Sequence, residues 1–322
     1  MMKPKFTPTL LAAGMLAVSG MAGAAESVNI GAPSWTGAQA IANLIKVVVE
    51  EKIGGTAELV PGSNATIFQA MDQGKGDIDV HPDVWLPNQE NFTKEYVDGK
   101  GTVVLSQNPY QGKQNFCVAK AFSEAHNVTS IFDLARPEVA ALMDGDGNGK
   151  GEIWIGAPGW ASANVNEVKV RDYGLMDFME PIRAEQSVMV AEVGDRINKD
   201  VGYAFYCYAP HAIWYMYDVV TLEEPPFDPE KYVMIQPKED PDWFEKSRVM
   251  SEDALKNVQV AYSKSLESRA PIISEFLANM SLDTATVSYF AFEIAGNGRD
   301  AAEVAQQWVA ENAERVDGWL GL

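Results

Sequence analysis

From residue 28 to residue 80 the chain alternates β-type runs with helical ones, and that alternation constrains its fold more than any other feature. Residues 28–31 read as a strand, after which Ile41, Leu44, Ile45 and Val48 recur at the spacing of one helix face. Gly54-Gly55 ends that helix, residues 58–60 form the next strand, and Ser63 caps a second helix that carries Ile67, Phe68 and Met71 and closes at Gly74. Residues 77–80 are a third strand, with His81-Pro82-Asp83-Val84-Trp85 as the loop behind it. Strand–helix–strand–helix–strand calls for right-handed crossovers, hence a largely parallel sheet with helices on its faces. The pattern resumes after a crossing near residues 106–111. Strands are expected at 116–119, 153–155 and 202–208, with a helix over 164–173 that Asn164 can cap. A return loop rich in Pro and acid leads to a strand at 259–262 and a helical tail, whose Trp308 and Trp319 read as core. The expected architecture is α/β with two lobes, residues 26–108 plus 222–322 and residues 109–221, and a cleft between them.

Lys3 and Lys5 precede an apolar run over 10–21, and Ala22-Gly23-Ala24-Ala25 follows it. This is the pattern of a cleavable secretory signal peptide over 1–25, too short to span a bilayer. The first cysteine is Cys117, so no thiol lies at the cleavage site to take a lipid. The expected location is a periplasm, and the expected form is soluble rather than a lipoprotein. The remaining 297 or so residues suffice for two cores. A net charge of −20 disfavours nucleic acid and anionic membrane as partners. The acids are dispersed, which fits acidity that keeps an exported protein soluble. Cys117 and Cys207 are the only cysteines; in an oxidising compartment both a disulfide and two buried thiols fit.

Four aromatics fall at expected strand ends: Trp35, Trp85, Trp160 and Tyr208. Ligands of open α/β sheets bind at that end of the strands. A quaternary ammonium has no N–H to donate, so it is held by π faces arranged as a box. Trp35 and Trp85 from one lobe, and Trp160 and Tyr208 from the other, form such a box across a cleft, with Tyr110 as a fifth wall. Closure of the lobes completes it. His81 and His211 lie close to Trp85 and Tyr208; hydrogen bonding to a ligand anion and capping of their own loops both fit.

Asp144, Asp146, Asn148, Gly149 and Glu152 follow the spacing D-x-D-x-N-G-x-x-E. These are oxygen positions one, three, five and nine of a calcium loop with its glycine at six, and the Lys150 carbonyl would be the seventh-position ligand. Ile155 stands where an EF-hand has its bidentate Glu. The expectation is a structural calcium that pins the loop ahead of Trp160, with a solvated acidic turn as the alternative. Enzyme signatures are absent: none of His81, His126 and His211 has metal-ligand spacing to another, and no nucleophile elbow or Walker loop occurs.

Three segments carry a family resemblance: 137–160 with its Ala-Pro-Gly-Trp, Trp85-Leu86-Pro87, and Tyr206-Cys207-Tyr208-Ala209-Pro210-His211. In these, and in Trp35-Thr36, the chain resembles the substrate-binding proteins of glycine betaine/proline/choline-type ABC transporters. The resemblance implies a type II periplasmic binding fold and no catalytic activity or organic cofactor. It implies capture of a small methylated ammonium osmolyte and delivery to a membrane permease and ATPase. Glycine betaine, trimethylamine N-oxide, choline and dimethylsulfoniopropionate are the candidate ligands. It also implies that the N–H groups of Ala161 and Ser162 meet a carboxylate. Some relatives have cysteines flanking the cage Trp, where this chain has Gly156 and Ser162. An exported enzyme or a ligand sensor on the same two-lobe fold is the alternative.

Overall fold

The computed structural model describes residues 25–322, so the expected signal peptide, but for its last residue, lies outside the described residues. The strands are β1 (Ser27–Ala32), β2 (Thr56–Pro61), β3 (Val80–Leu86), β4 (Val103–Leu105), β5 (Tyr110–Ala119), β6 (Gly151–Gly156), β7 (Met179–Arg183), β8 (Ala204–Ala209), β9 (Val219–Thr221), β10 (Tyr232–Val233), β11 (Arg248–Val249) and β12 (Lys256–Ser263). The main path runs β2-β1-β3-β12-β5-β8-β6-β7, with β4 against β12 and β9 against β5.

Each half has the same plan. In the first, β1 is central and parallel to β2 and β3; in the second, β6 is central and parallel to β7 and β8. The expectation of largely parallel sheets holds for these triplets. The strands that join the halves, β12 and β5, are antiparallel to their neighbours. The crossing lies within β5 itself rather than in a loop before it. Tyr110–Gly112 pair with β12, and Lys113–Cys117 pair with β8.

The segment 222–255 packs on the second half. Tyr232, Met234, Trp243 and Phe244 cover Val165 and Val168 of the Ala161–Asp172 helix. Buried ion pairs anchor it: Lys169 Nζ lies 2.7 Å from Glu224 Oε2 and 2.8 Å from Asp253 Oδ2. The tail helices cover the first half, where Trp308 and Trp319 stack in the core at 5.8 Å. Cys117 of β5 and Cys207 of β8 form a disulfide across 90 residues of chain.

Two local expectations are corrected. His81–Trp85 is not a loop but the body of β3, because β12 pairs along it from Val80 to Leu86. Pro82 is tolerated there because it lies at an irregularity between the Gln259 and Ala261 pairs, where a missing N–H costs no regular ladder bond. Asn164 is not a cap. Trp160 is the N-cap and the helix starts at Ala161, while Asn164 Nδ2 bonds Gln236 Oε1 at 2.8 Å.

Candidate ligand-binding site

Trp35 and Trp160 occupy matching corners. Each follows a central strand, β1 or β6, and each is the extended N-cap residue of the next helix. Trp85 and Tyr208 also match: each lies on the strand beside the central one, β3 or β8. Close approach of backbone seats two of the four rings. A Cβ on Gly112 of β5 would come within 2.5 Å of the Trp85 ring, so only glycine leaves that ring its place. A Cβ on Gly156, at φ +130°, would come within 2.9 Å of Ala163 Cβ and push the helix after Trp160 off its strand.

The four rings line one cavity, part of it open to solvent. Successive rings meet near right angles. Trp35 and Trp160 are 5.7 Å apart at 80°, Trp160 and Tyr208 6.0 Å at 78°, and Tyr208 and Trp85 5.6 Å at 86°. The circuit closes through Asp83, whose Oδ2 accepts from both Trp35 Nε1 and Trp85 Nε1, the latter at 2.9 Å. Asp83 Oδ1 accepts from the Tyr110 hydroxyl. Tyr110 thus stands behind the cavity and braces Asp83 rather than forming a fifth wall. Asp83 is fully buried, and burial holds its carboxyl above the ordinary range, opposed by these three hydrogen bonds.

Polar groups fill the gaps between rings. Asn64, Asn88, Gln89 and Gln114 line the cavity with Ala161, Ser162 and Tyr206, and no Lys or Arg does. The first-turn N–H groups of Ala161 and Ser162 have no carbonyl four residues back in their helix, and Trp160 offers no side-chain cap. Asn88 Oδ1 and Gln89 Oε1 are buried without a hydrogen-bond partner.

Both candidate histidines are fully buried and neutral, pushed down to about 3 by burial. His81 Nδ1 accepts the Asp83 N–H at 3.2 Å, so its ring proton sits on Nε2 and goes to Asn64 Oδ1 at 2.9 Å. His211 Nδ1 accepts from the Ile213 N–H at 2.9 Å. The His211 ring lies edge-on behind Tyr208 at 4.7 Å and does not line the cavity.

Contacts across the cleft hold the two halves together. Trp160 Nε1 donates to Ser34 Oγ at 3.1 Å, and Gln186 Nε2 to Thr36 Oγ1 at 2.8 Å, while the Tyr208 hydroxyl donates to Gln186 Oε1 at 2.7 Å. At the rim, Lys238 pairs with Glu95 at 2.6 Å and lies over the Tyr96 ring at 4.6 Å.

The acidic loop is folded by its own side chains. Asp144 accepts from the N–H groups of Gly147, Asn148 and Gly149, and Asp146 from that of Asn148. Lys150 sends its ammonium to the Met176 carbonyl at 2.6 Å. Glu152 is ion-paired with Arg196. Among the described residues no group of three or more His, Cys, Asp or Glu side chains is disposed to hold a metal.

Tyr206 and the four amides were not read as site residues, and Asp83 was read only, with Asp79, as an acid near Trp85 that could balance a choline cation. Asp83 and Tyr206 carry a recoverable signal, since each lies two residues before an expected wall, Trp85 or Tyr208, and therefore on the same strand face. The amides carry none.

The chain has the type II periplasmic binding protein fold, as its likeness to solved structures shows. Lactococcal OpuAC in its closed-liganded conformation with glycine betaine superposes with a TM-score of 0.70 at 21% identity, covering 92% of this chain and 99% of that one. An ABC-transporter choline binding protein in complex with choline gives 0.70 at 17% identity, covering 92% of each chain. Residues 26–311 match the substrate binding domain of ABC-type glycine betaine transport systems, and the chain belongs to that family. Among curated relatives, the glycine betaine-binding periplasmic protein OusX of Dickeya dadantii is 25% identical over 116 residues. That match spans 35% of this chain and 35% of the relative.

Proposed function

We propose that this protein is the periplasmic substrate-binding component of an ABC importer, which captures a small methylated ammonium osmolyte and delivers it to a permease and ATPase at the inner membrane. Glycine betaine leads the candidate ligands, with trimethylamine N-oxide, choline and dimethylsulfoniopropionate behind it. The observation that carries this reading is the arc of four rings, each near a right angle to the next, around one cavity without a cationic side chain. Trp35, Trp85, Trp160 and Tyr208 are assigned to the ammonium, each face contributing roughly 0.5–2 kcal/mol when desolvated. The N–H groups of Ala161 and Ser162, at a helix start, are assigned to an anionic tail. Tyr110 is assigned a bracing role, and His211 a place behind the site. We take the lobes to be 26–108 plus 222–322 and 109–221, with 222–255 riding on the second. Family membership supports binding rather than catalysis, with no organic cofactor.

Isothermal titration against the four candidates tests the reading, with Trp160→Ala as the control. Binding of at least one, weakened by about 2 kcal/mol or more in the folded variant, supports it. Binding of none refutes it.

For the acidic loop we keep the calcium reading with a reduced donor set: Asp144, Asp146, Asn148 and the Lys150 carbonyl, without Glu152. A melting temperature that rises with added calcium supports this. An unchanged one leaves the loop a self-capped turn.

A further inference from the structure

We infer that Asp83 is the counter-charge of the bound cation: a buried carboxylate that favours ligands of net positive charge and couples their capture to its own ionisation. The inference rests on the methylated-ammonium reading and deepens it.

Asp83 receives donors from three elements. Trp35 lies at the corner after β1, Trp85 on Asp83's own strand, and Tyr110 on β5. Three such bonds satisfy an ionised carboxylate as an acceptor but leave its charge unbalanced in a low-dielectric interior, which is costly. The groups that face it supply no positive charge. On its own strand, His81 is neutral and hydrogen-bonded to the Asp83 N–H. On β5 and β8, Tyr110 and Tyr208 are phenols held protonated well above their ordinary range by burial, with the Asp83 charge adding to the effect. From the helix after Trp35, Lys46 turns instead to Glu50 and the Ala57 carbonyl. Asp79, the other acid near Trp85 in sequence, is already paired with Arg269. The balancing charge is therefore absent from the protein side, and the carboxylate stands behind the Trp35 and Trp85 rings, which line the cavity where Asp83 itself does not.

The arrangement also acts through the rings. An indole whose N–H donates to a carboxylate is polarised so that its face becomes more negative, which strengthens its hold on a cation. The second half has no such charge. Tyr206, two residues before Tyr208, takes the place that Asp83 takes before Trp85.

Burial raises the free-state pKa of Asp83, and a cation in the cavity lowers it. Affinity is then constant where the free protein is already ionised, and falls as pH drops through the raised value. In that lower window the cation displaces one proton on binding.

Asp83→Asn separates charge from hydrogen bonding. The amide oxygen can still accept from both indoles, and the amide NH₂ can donate to the Tyr110 oxygen. Isothermal titration of the full mature protein with choline, a monocation, and glycine betaine, a zwitterion, is run from about pH 8 to about pH 5. At the lower pH it is repeated in two buffers of different ionisation enthalpy. Proton release by the wild type, absent from the variant, is expected. So is a loss of choline affinity of about tenfold or more in Asp83→Asn, larger than the loss for glycine betaine. Buffer-independent heats in the wild type, or a variant within twofold of it on both ligands, overturn the inference and leave Asp83 a ring-positioning residue. The buffer comparison needs no variant, so it stands even if Asp83→Asn misfolds. Failure of the wild type to bind either ligand or any other candidate overturns the underlying reading, and this inference with it.

Discussion

The two halves of the aromatic box share one plan and differ in how the rings are secured. In the first half, the indole N–H groups of Trp35 and Trp85 end on Asp83, within that half. In the second, Trp160 donates across the cleft to Ser34, and Tyr208 reaches Thr36 through Gln186. The first wall therefore has its hydrogen-bond partners whether or not the halves meet. The second wall completes its network only in the closed arrangement. Two sheets built alike can thus divide the work, one preorganised and one completed by closure, which spares the closed state part of its ordering cost.

The largest expected effect concerns the strands beneath the second wall. The disulfide between β5 and β8 has no counterpart in the first half, and a loop of this length is worth about 4.6 kcal/mol in the chain-entropy account. Denaturant unfolding of the double variant Cys117→Ser, Cys207→Ser should register a loss of that order. A loss below about 1 kcal/mol would mean the second half holds together without its staple.

Next comes acid. His81 in one half and His211 in the other are both held neutral down to about 3. The unfolded chain protonates them near 6.5, so it binds more protons than the native state between those values. Stability should then be flat above about 6.5 and fall as pH drops below it, by roughly 1.4 kcal/mol per pH unit for each histidine. His211 Nε2 has no partner, whereas His81 has Asn64. Replacing His211 with Gln should remove about half of the slope in urea titrations. An unaltered slope would place the acid sensitivity elsewhere.

The smallest effect tests the contrast itself. Ser34→Ala removes one cross-cleft bond, worth about 1 kcal/mol, and Lys238→Met removes an exposed rim pair worth less. Both should speed ligand release in stopped-flow fluorescence and leave association nearly unchanged, with only the Lys238 effect fading in high salt. A slowed association instead would show that the second wall is already set before closure.

Much of this could be read from the residues. Trp35 and Trp160 were legible because each sits between a β-type run and a helical one, the position from which a side chain reaches the end of a sheet. Trp85 was found, though its strand was misplaced. His81 and Asp83 are polar residues in a strand buried on both faces, and their spacing mimics a turn around Pro82. What anchors them, a strand 170 or so residues later, leaves no local trace. For the same reason Glu152 matched a calcium loop: Arg196, which captures it, lies 44 residues on. The likeness of the halves was invisible as a sequence repeat because it resides in strand order, with Tyr in one half where the other has Trp.

The central claim is that the rings hold a charge and not merely a shape. Replacing the ammonium nitrogen by carbon tests this directly, as in glycine betaine against 3,3-dimethylbutanoate and choline against 3,3-dimethylbutan-1-ol, each pair measured by isothermal titration. The account predicts that the cation of each bindable pair binds at least about tenfold more tightly than its carbon analogue. Equal affinities would contradict it, leaving a hydrophobic pocket that happens to be lined by aromatic rings.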